Sequence, residues 1–359
     1  MKKYLLLLTF LSVIGNAQIV RKYSNEFLNI GAGARGLAMG GAVISNQNDV
    51  YAPMWNPAGL SEVESDWQGA AMHAEYFESI AKYDYISFAK ALDSKDGVLG
   101  ISIVRLGVDN ILNTTQMIDS EGNIDYDKIS KFSTSDYAGI ISYAFRPGGN
   151  QKLSVGINAK IVYRNIGKFA NGFGFGFDAG AIYRADSGYQ FGAMLRDATT
   201  TVNFWSINQK ELSAVVNGEE FNPAPKDKME ITMPKLNLGV SKNFEINRDL
   251  ELLPEAGLNV DFAKTAAVIS TDFASISPYL GAELSFQKMI FVRAGLNRFQ
   301  TVTDIEDLKR KVSMQPSAGI GINYKGLTLD YAITNTGIGG SNYFSNFFSL
   351  KLDMRDFRY

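Results

Sequence analysis

The chain has no cysteine and one histidine among its 359 residues. The first absence excludes disulfides, thiolate metal sites, cysteine nucleophiles and a lipidated N-terminal cysteine. The second excludes a centre built from several histidines. A charge excess of one sign is also missing: 35 Lys and Arg stand against 37 Asp and Glu, a net charge of −2. Bulk charge therefore offers no footprint for nucleic acid. Proline is scarce, with 9 residues. Past the N-terminus no apolar run approaches the roughly 18 residues of a transmembrane helix. What is abundant is glycine (34) and aromatic residues (23 Phe, 17 Tyr, 3 Trp). That mix suits a large β-structure better than a helical bundle.

The N-terminus reads as an address. Met1-Lys2-Lys3 is a basic start, Tyr4 to Ile14 is an uncharged, mostly apolar stretch, and Gly15-Asn16-Ala17 supplies small residues for cleavage. Residues 1–17 are therefore expected to be a secretory signal peptide, with the mature chain starting near Gln18. Its removal takes Lys2 and Lys3 with it and moves the net charge from −2 to −4. An exported chain without long apolar helices either remains soluble or crosses a membrane as strands.

Alternation with period 2 runs through the rest. In 172–184, Phe173, Phe175, Phe177, Ala179, Ala181 and Tyr183 share one face, and Gly172, Gly174, Gly176, Asp178 and Gly180 the other. Residues 152–163, 235–242 and 317–324 repeat the pattern. About 14 such segments, each of a length that suits a membrane strand, are expected. They lie near 67–76, 82–91, 97–107, 135–146, 151–163, 172–184, 188–198, 230–243, 250–263, 276–286, 289–299, 314–325, 327–334 and 344–353. The longest connections, 108–134, 199–229 and 300–313, are odd-numbered, whereas even-numbered ones such as 185–188 and 325–326 are tight.

Long loops at one end and short turns at the other are the signature of outer-membrane barrels. The expected fold is an all-β, transmembrane antiparallel barrel. Its Gly-, Lys-, Asn- and Asp-bearing faces line the lumen and its Phe, Leu, Val and Ile faces touch lipid. Closure leaves no unpaired backbone edge in hydrocarbon. The expected location is the outer membrane of a Gram-negative bacterium, with both mature termini facing the periplasm. The aromatic end, Asp356-Phe357-Arg358-Tyr359, fits an assembly signal of such barrels.

Several lookalikes carry less weight. Gly31, Gly33 and Gly36 form a G-x-G-x-x-G with Asp49 downstream, but no strand–helix context for a dinucleotide accompanies them. They serve tight bends and close packing. His73 reads as a pore-lining or packing residue, since no nucleophile elbow accompanies it. The acidic stretch Asp119 to Asp127 lacks the spacing of a calcium loop and reads as a solvated loop. Tyr343-Phe344 and Phe347-Phe348 are expected in an interfacial girdle. No catalytic residue, cofactor site or metal site is assigned, and an enzyme is not expected.

Residues 18–66 are not strand-like. They hold Ala34-Arg35-Gly36-Leu37-Ala38-Met39-Gly40-Gly41-Ala42, followed by Asn56-Pro57-Ala58-Gly59-Leu60. This pairing resembles the PorV/PorQ family of outer-membrane proteins, itself similar to the FadL fatty-acid channels. Arg35, Met39, Gly40, Gly41 and Ala42 match the first motif, and Asn56, Pro57, Ala58, Gly59 and Leu60 the second. The resemblance implies a 14-stranded barrel over 67–359 with the N-terminal segment 18–66 inside it as a hatch. Arg35 would then seek a lumen carboxylate such as Asp178 or Glu283. The resemblance also implies a non-enzymatic part in type IX protein secretion, in which the barrel binds translocon or attachment proteins and cargo with a sorting domain. Outer-membrane lipid is the remaining partner. Asn203-Phe204-Trp205 in the connection 199–229 makes Phe204 and Trp205 the candidate partner-contact residues. The alternative is a FadL-like channel for small hydrophobic molecules, which requires an apolar pocket beside the hatch and a lateral gap in the wall.

Overall fold

The computed structural model describes residues 24–354, except 64, 93–96, 217–218, 224, 226–227, 304–308 and 338–342. The signal peptide expected at 1–17 and the aromatic C-terminal residues lie outside the described residues. The chain folds as a closed antiparallel barrel of 14 strands. In chain order these are β1 Trp67–Tyr76, β2 Ala81–Ala91, β3 Val98–Asn113, β4 Ser130–Phe145, β5 Leu153–Ile166 and β6 Ala170–Arg184. Next come β7, in two pieces (Tyr189–Arg196 and Thr201–Ile207), and β8, also in two (Met229–Thr232 and Lys235–Lys242). The circuit ends with β9 Leu250–Asp261, β10 Ser275–Phe286, β11 Ile290–Thr303, β12 Arg310–Tyr324, β13 Leu327–Asn335 and β14 Phe344–Asp353. The last strand pairs with the first from Gln68↔Asp353 to Glu75↔Asn346, so the sheet has no free edge.

The alternation in sequence becomes two surfaces, because successive side chains in a strand point to opposite faces. On β6, Phe173, Phe175 and Phe177 are each about half exposed on the outer wall, while Gly172, Gly174 and Gly176 are buried on the inner one. Ile101, Ile103, Ile157, Ile161, Ile320 and Ile322 are likewise exposed on the outside. An apolar band of this kind is at home in hydrocarbon, and closure satisfies its backbone. Two of the even-numbered turns are tight hairpins. Gln287 and Lys288 (φ 51° and 54°), and Lys325 and Gly326 (φ 50° and 82°), take the left-handed pairs of two-residue hairpins.

Three expected connections shrink. Strand pairing extends β3 to Asn113 and begins β4 at Ser130, leaving 114–129, and β11 and β12 leave 304–309 between them. The connection expected at 199–229 contains the second piece of β7 and the start of β8, so it spans 208–228. Phe204 and Trp205 therefore sit on a strand, not on a loop. Alternation divides them: Phe204 is 51% exposed on the outer wall, and Trp205 faces inward. The same alternation splits Phe347-Phe348. Phe348 stays on the outer wall with Phe344, Tyr343 is exposed just before the strand, and Phe347 is buried on the inner face. His73 lies on the outer wall of β1 rather than lining the lumen, paired with Asp84 at 2.7 Å and Glu75 at 3.3 Å.

Candidate functional site

The N-terminal segment from Ser24 to Val63 lies inside the barrel. It contains the short helices α1 (Ala34–Ala38) and α2 (Ala52–Trp55) and a 3-10 turn at Pro57–Glu62. A segment with so little regular structure leaves many backbone groups in need of partners. The wall supplies them around the whole circuit. Ser349 Oγ of β14 accepts from the Ala34 amide at 3.1 Å, and Ser317 Oγ of β12 donates to the Ala38 carbonyl at 2.9 Å. Asn297 of β11 donates to Gly40, Asn158 of β5 to Pro53, and Ser87 of β2 to Val50. The Arg196 guanidinium on β7 donates to the Leu28 and Met54 carbonyls at 2.9 and 2.7 Å.

Glu255 on β9 makes the densest contact. Its carboxylate accepts from the Ile44 amide at 2.7 Å, the Ser45 amide and hydroxyl at 3.1 and 2.5 Å, and the Asn46 amide group at 2.8 Å. Its partners lie some 210 residues upstream, and no local pattern announces them.

The residues of the two motifs have specific positions. Arg35 donates to Glu283 through Nε at 2.9 Å and Nη2 at 3.3 Å. Glu283 also receives Arg293 at 2.5 Å, and Arg293 reaches Asp330 at 2.6 Å. Of the two acids considered for Arg35, Glu283 is the partner; Asp178 is engaged by Lys160 at 2.6 Å. Met39 and Gly40 pass so close to β11 that a Cβ on Gly295 would fall on the Met39 carbonyl group. Gly41, with Gly31 and Gly36, packs against the Trp55 ring, whose Nε1 donates to the Ala32 carbonyl at 2.7 Å. The glycine triplet thus serves ring packing. Asn56 caps the 3-10 turn through Ala58 and also donates to Ile44 at 2.8 Å and Ala181 at 3.1 Å. Pro57 stands over Gly156 of β5, where a Cβ would strike it. Gly59 and Leu60 are buried in the same turn.

This insert divides the lumen. A cavity of about 460 Å³ opens towards the short turns and is lined by charged residues such as Arg184, Glu251, Lys288, Arg293 and Lys351. A second, of about 670 Å³, opens towards the long loops. Its base carries Ile30, Leu37, Ile44 and Trp55 from the insert, flanked by Tyr76 and Phe347 of the wall. The rings of Tyr76 and Phe347 meet edge-on at 6.2 Å. Above this apolar base the wall turns polar, with Asn237, Asn259, Asn297 and Gln315, and Lys235 bridges Glu26 and Asp261 at 3.2 and 3.4 Å. Trp205 lies towards this end. Its Nε1 donates to Glu230 at 3.1 Å, and the Arg164 guanidinium stands 5.2 Å over its ring.

The register of the wall shifts at several places, among them Val108/Ile111 on β3 and Asn297/Gln300 on β11, and most widely on β7. Five positions along β6, from Ala179 to Phe175, face eight along β7, from Leu195 to Val202. The excess forms a bulge at 197–200, with Asp197 and Thr200 at φ 52° and 59°. Lys160 holds it by reaching Asp197 and Asp178 at 2.6 Å each. The Asp197 amide donates to Asp178 at 2.8 Å, and Thr201 donates to Asp197 at 2.5 Å. On the other side β8 is interrupted at Met233-Pro234, where proline has no amide to give.

The acidic loop binds itself. Asp119 accepts from the amides of Glu121 and Asn123 at 2.9 Å each and from the Asn123 side chain at 3.0 Å. These bonds hold its carboxyl below the usual range. Among the described residues no group of three metal-ligating side chains is present.

No family model and no curated protein matches the sequence. Solved structures do match in fold. The toluene transporter TbuX of Ralstonia pickettii shares 13% identity at a TM-score of 0.55, covering 90% of this chain and 98% of that one. The toluene transporter TodX of Pseudomonas putida shares 14% at 0.56, covering 93% and 98%. A FadL homologue of Pseudomonas aeruginosa shares 11% at 0.52, covering 90% and 98%. The fold is therefore that of FadL-like outer-membrane barrels, and two of these structures are toluene transporters.

Proposed function

We propose that the chain is an outer-membrane channel admitting small hydrophobic molecules, with the long loops outside and the short turns and both mature termini in the periplasm. The observation that carries this is the apolar base beside the insert, where Ile30, Leu37, Trp55, Tyr76 and Phe347 line a cavity open at the long-loop end. An apolar solute gains free energy by leaving water for such a surface. Polar walls above it leave the entrance wet. The charged cavity beneath disfavours straight passage, so the exit belongs in the wall. The bulge at 197–200 facing Pro234 is the place for it, since strand pairing is interrupted there on both sides of β7. The likeness to the toluene transporters supports the same reading.

The test is uptake of radiolabelled toluene and oleate by a Gram-negative host that lacks its own hydrophobe channels. Expression should raise uptake of at least one of them, and Leu37→Glu should abolish the gain while the barrel still inserts. Uptake equal to the empty vector, with the barrel inserted, would refute the channel.

A second reading keeps the role in type IX secretion. It is supported by the two motifs, whose residues Arg35, Met39, Gly40, Asn56 and Pro57 all seat the insert against the wall. Gentle purification from native membrane discriminates the two. Stoichiometric translocon, attachment proteins or sorting-domain cargo would favour secretion, and a barrel recovered alone would favour the channel.

A further inference from the structure

The outer wall is not uniformly bulky. On β9, β10 and β11 the outward positions Ala256, Ala282 and Ala294 are small, Ala282 and Ala294 side by side and Ala256 one row above them, whereas the row below Ala282 and Ala294 carries Leu252, Leu284 and Val292. Together with Pro254 and Pro316, they floor a lipid-facing groove of about 740 Å³. The groove starts at the short-turn end, beside Lys242 and Phe244, and reaches Leu280 and Leu296. Both leucines stand six residues along their strands from the short-turn ends at Phe286 and Ile290. Six residues are about 20 Å of strand, a rise of about 15 Å at the usual tilt and half the hydrocarbon thickness.

The foot of the groove holds a cation. Lys242 Nζ lies 4.6 Å from the centre of the Tyr189 ring and 5.7 Å from that of Phe244. No carboxylate among the described residues pairs with it. Several inward-facing lysines of the barrel do have one: Lys160 has Asp178, Lys235 has Asp261, Lys351 has Asp49. A cation held by two rings at the membrane border, above which an apolar groove one leaflet deep begins, matches one kind of molecule. It needs an anionic head and a long apolar tail, and it must be present at that depth.

We propose that this groove is a binding site for one anionic phospholipid of the leaflet bordering the short turns. An acyl chain lies over Ala256, Ala282 and Ala294, and the phosphate takes the Lys242 ammonium as its counter-ion. The site depends on the barrel being embedded in a bilayer and on neither reading of its lumen.

The test is native mass spectrometry of the full mature chain, released from detergent in the presence of palmitoyl-oleoyl phosphatidylglycerol, with phosphatidylcholine as the comparison. The wild type should retain one phosphatidylglycerol in preference to phosphatidylcholine. Lys242→Gln should weaken retention about tenfold, the loss of one charge-assisted contact, and Lys242→Arg should preserve it. Ala294→Phe, which fills the groove and leaves the cation, should also weaken it. Heat-dependent gel mobility checks that each variant is a folded barrel; if Ala294→Phe is not, Ala282→Leu takes its place. Equal retention by the wild type, Lys242→Gln and the groove-filling variant would overturn the proposal. So would a photo-crosslinker at position 282 that captures a polypeptide instead of lipid in native membranes.

Discussion

Arg35 and Glu283 are unequal partners. Glu283 neutralises two guanidinium groups, Arg35 and Arg293, whereas among the described residues Arg35 has Glu283 alone as its carboxylate contact. Glu283→Gln should therefore cost about 3–5 kcal/mol, because it strands buried positive charge. Arg35→Ala leaves Glu283 still held by Arg293 and should cost only about 1–3 kcal/mol. Thermal unfolding, with proteolysis inside 24–63 as the local readout, checks the order; an Arg35→Ala loss larger than that of Glu283→Gln would contradict it. Two glycines make a cleaner comparison. A Cβ at Gly295 meets the backbone of Met39, which cannot yield as a flexible side chain can, so Gly295→Ala should destabilise by at least about 2 kcal/mol. Gly139 on β4 has nothing within 4 Å of such a Cβ, and Gly139→Ala should stay within about 0.5 kcal/mol of wild type. The two also face opposite ways: Gly139 is exposed on the outer wall between buried Ala138 and Ile140, whereas Gly295 is buried on the inner face. The contact of Gly295 with Met39 spans more than 250 residues.

At the scale of elements, the strands were legible because each is governed by its own two-residue period. The spans expected for β1, β6, β10 and β14 differ from those observed by two residues or fewer at each end. The second half of β7 was not legible, and the reason is local. The bulge at 197–200 breaks the alternation, so Thr201–Ile207 loses its link to the strand before it and resembles the start of a loop. The side chains that hold the bulge come from other strands. Lys160 on β5 and Asp178 on β6 meet Asp197 only after the sheet has formed. Lys160→Met should leave two buried carboxylates without their cation, at a cost of about 3–5 kcal/mol. Amide exchange over 196–202 should rise more than anywhere else in the wall. Unchanged exchange there would mean that backbone pairing alone fixes the bulge. If the bulge is the exit of a hydrophobic route, the same variant should also change toluene uptake.

For the whole molecule, the insert decides whether the barrel is a pore. Cavities of about 670 and 460 Å³ lie on its two sides, and its buried core separates them. The wild-type protein in a planar bilayer should therefore conduct poorly. A double variant, Glu283→Gln with Glu255→Gln, loosens the insert at two strands and should raise conductance with frequent open–closed transitions. A steady wild-type conductance that this double variant leaves unchanged would show that ions bypass the insert. The overall architecture was readable from strand period and loop parity, together with the N-terminal motifs. The division of the lumen was not, since it depends on which inner-face side chains reach the insert.

The reach of that insert has a consequence for assembly. Ala34 is bonded to Ser349 and Asp49 to Lys351, contacts separated by 315 and 302 residues that engage the last strand of the circuit. The N-terminal insert is thus finally fastened by the last strand of the barrel. Until β14 arrives, the early segment has only a partial mould to sit in, and the growing sheet has only a partial filler. The two become complete in one event, when the seam between β1 and β14 shuts around an object already in place. Contacts of such long sequence separation make that event slow. They also make it a checkpoint: a ring that shuts without its filler forfeits the bonds of Ser349 and Lys351 at the very strand that performs the closure.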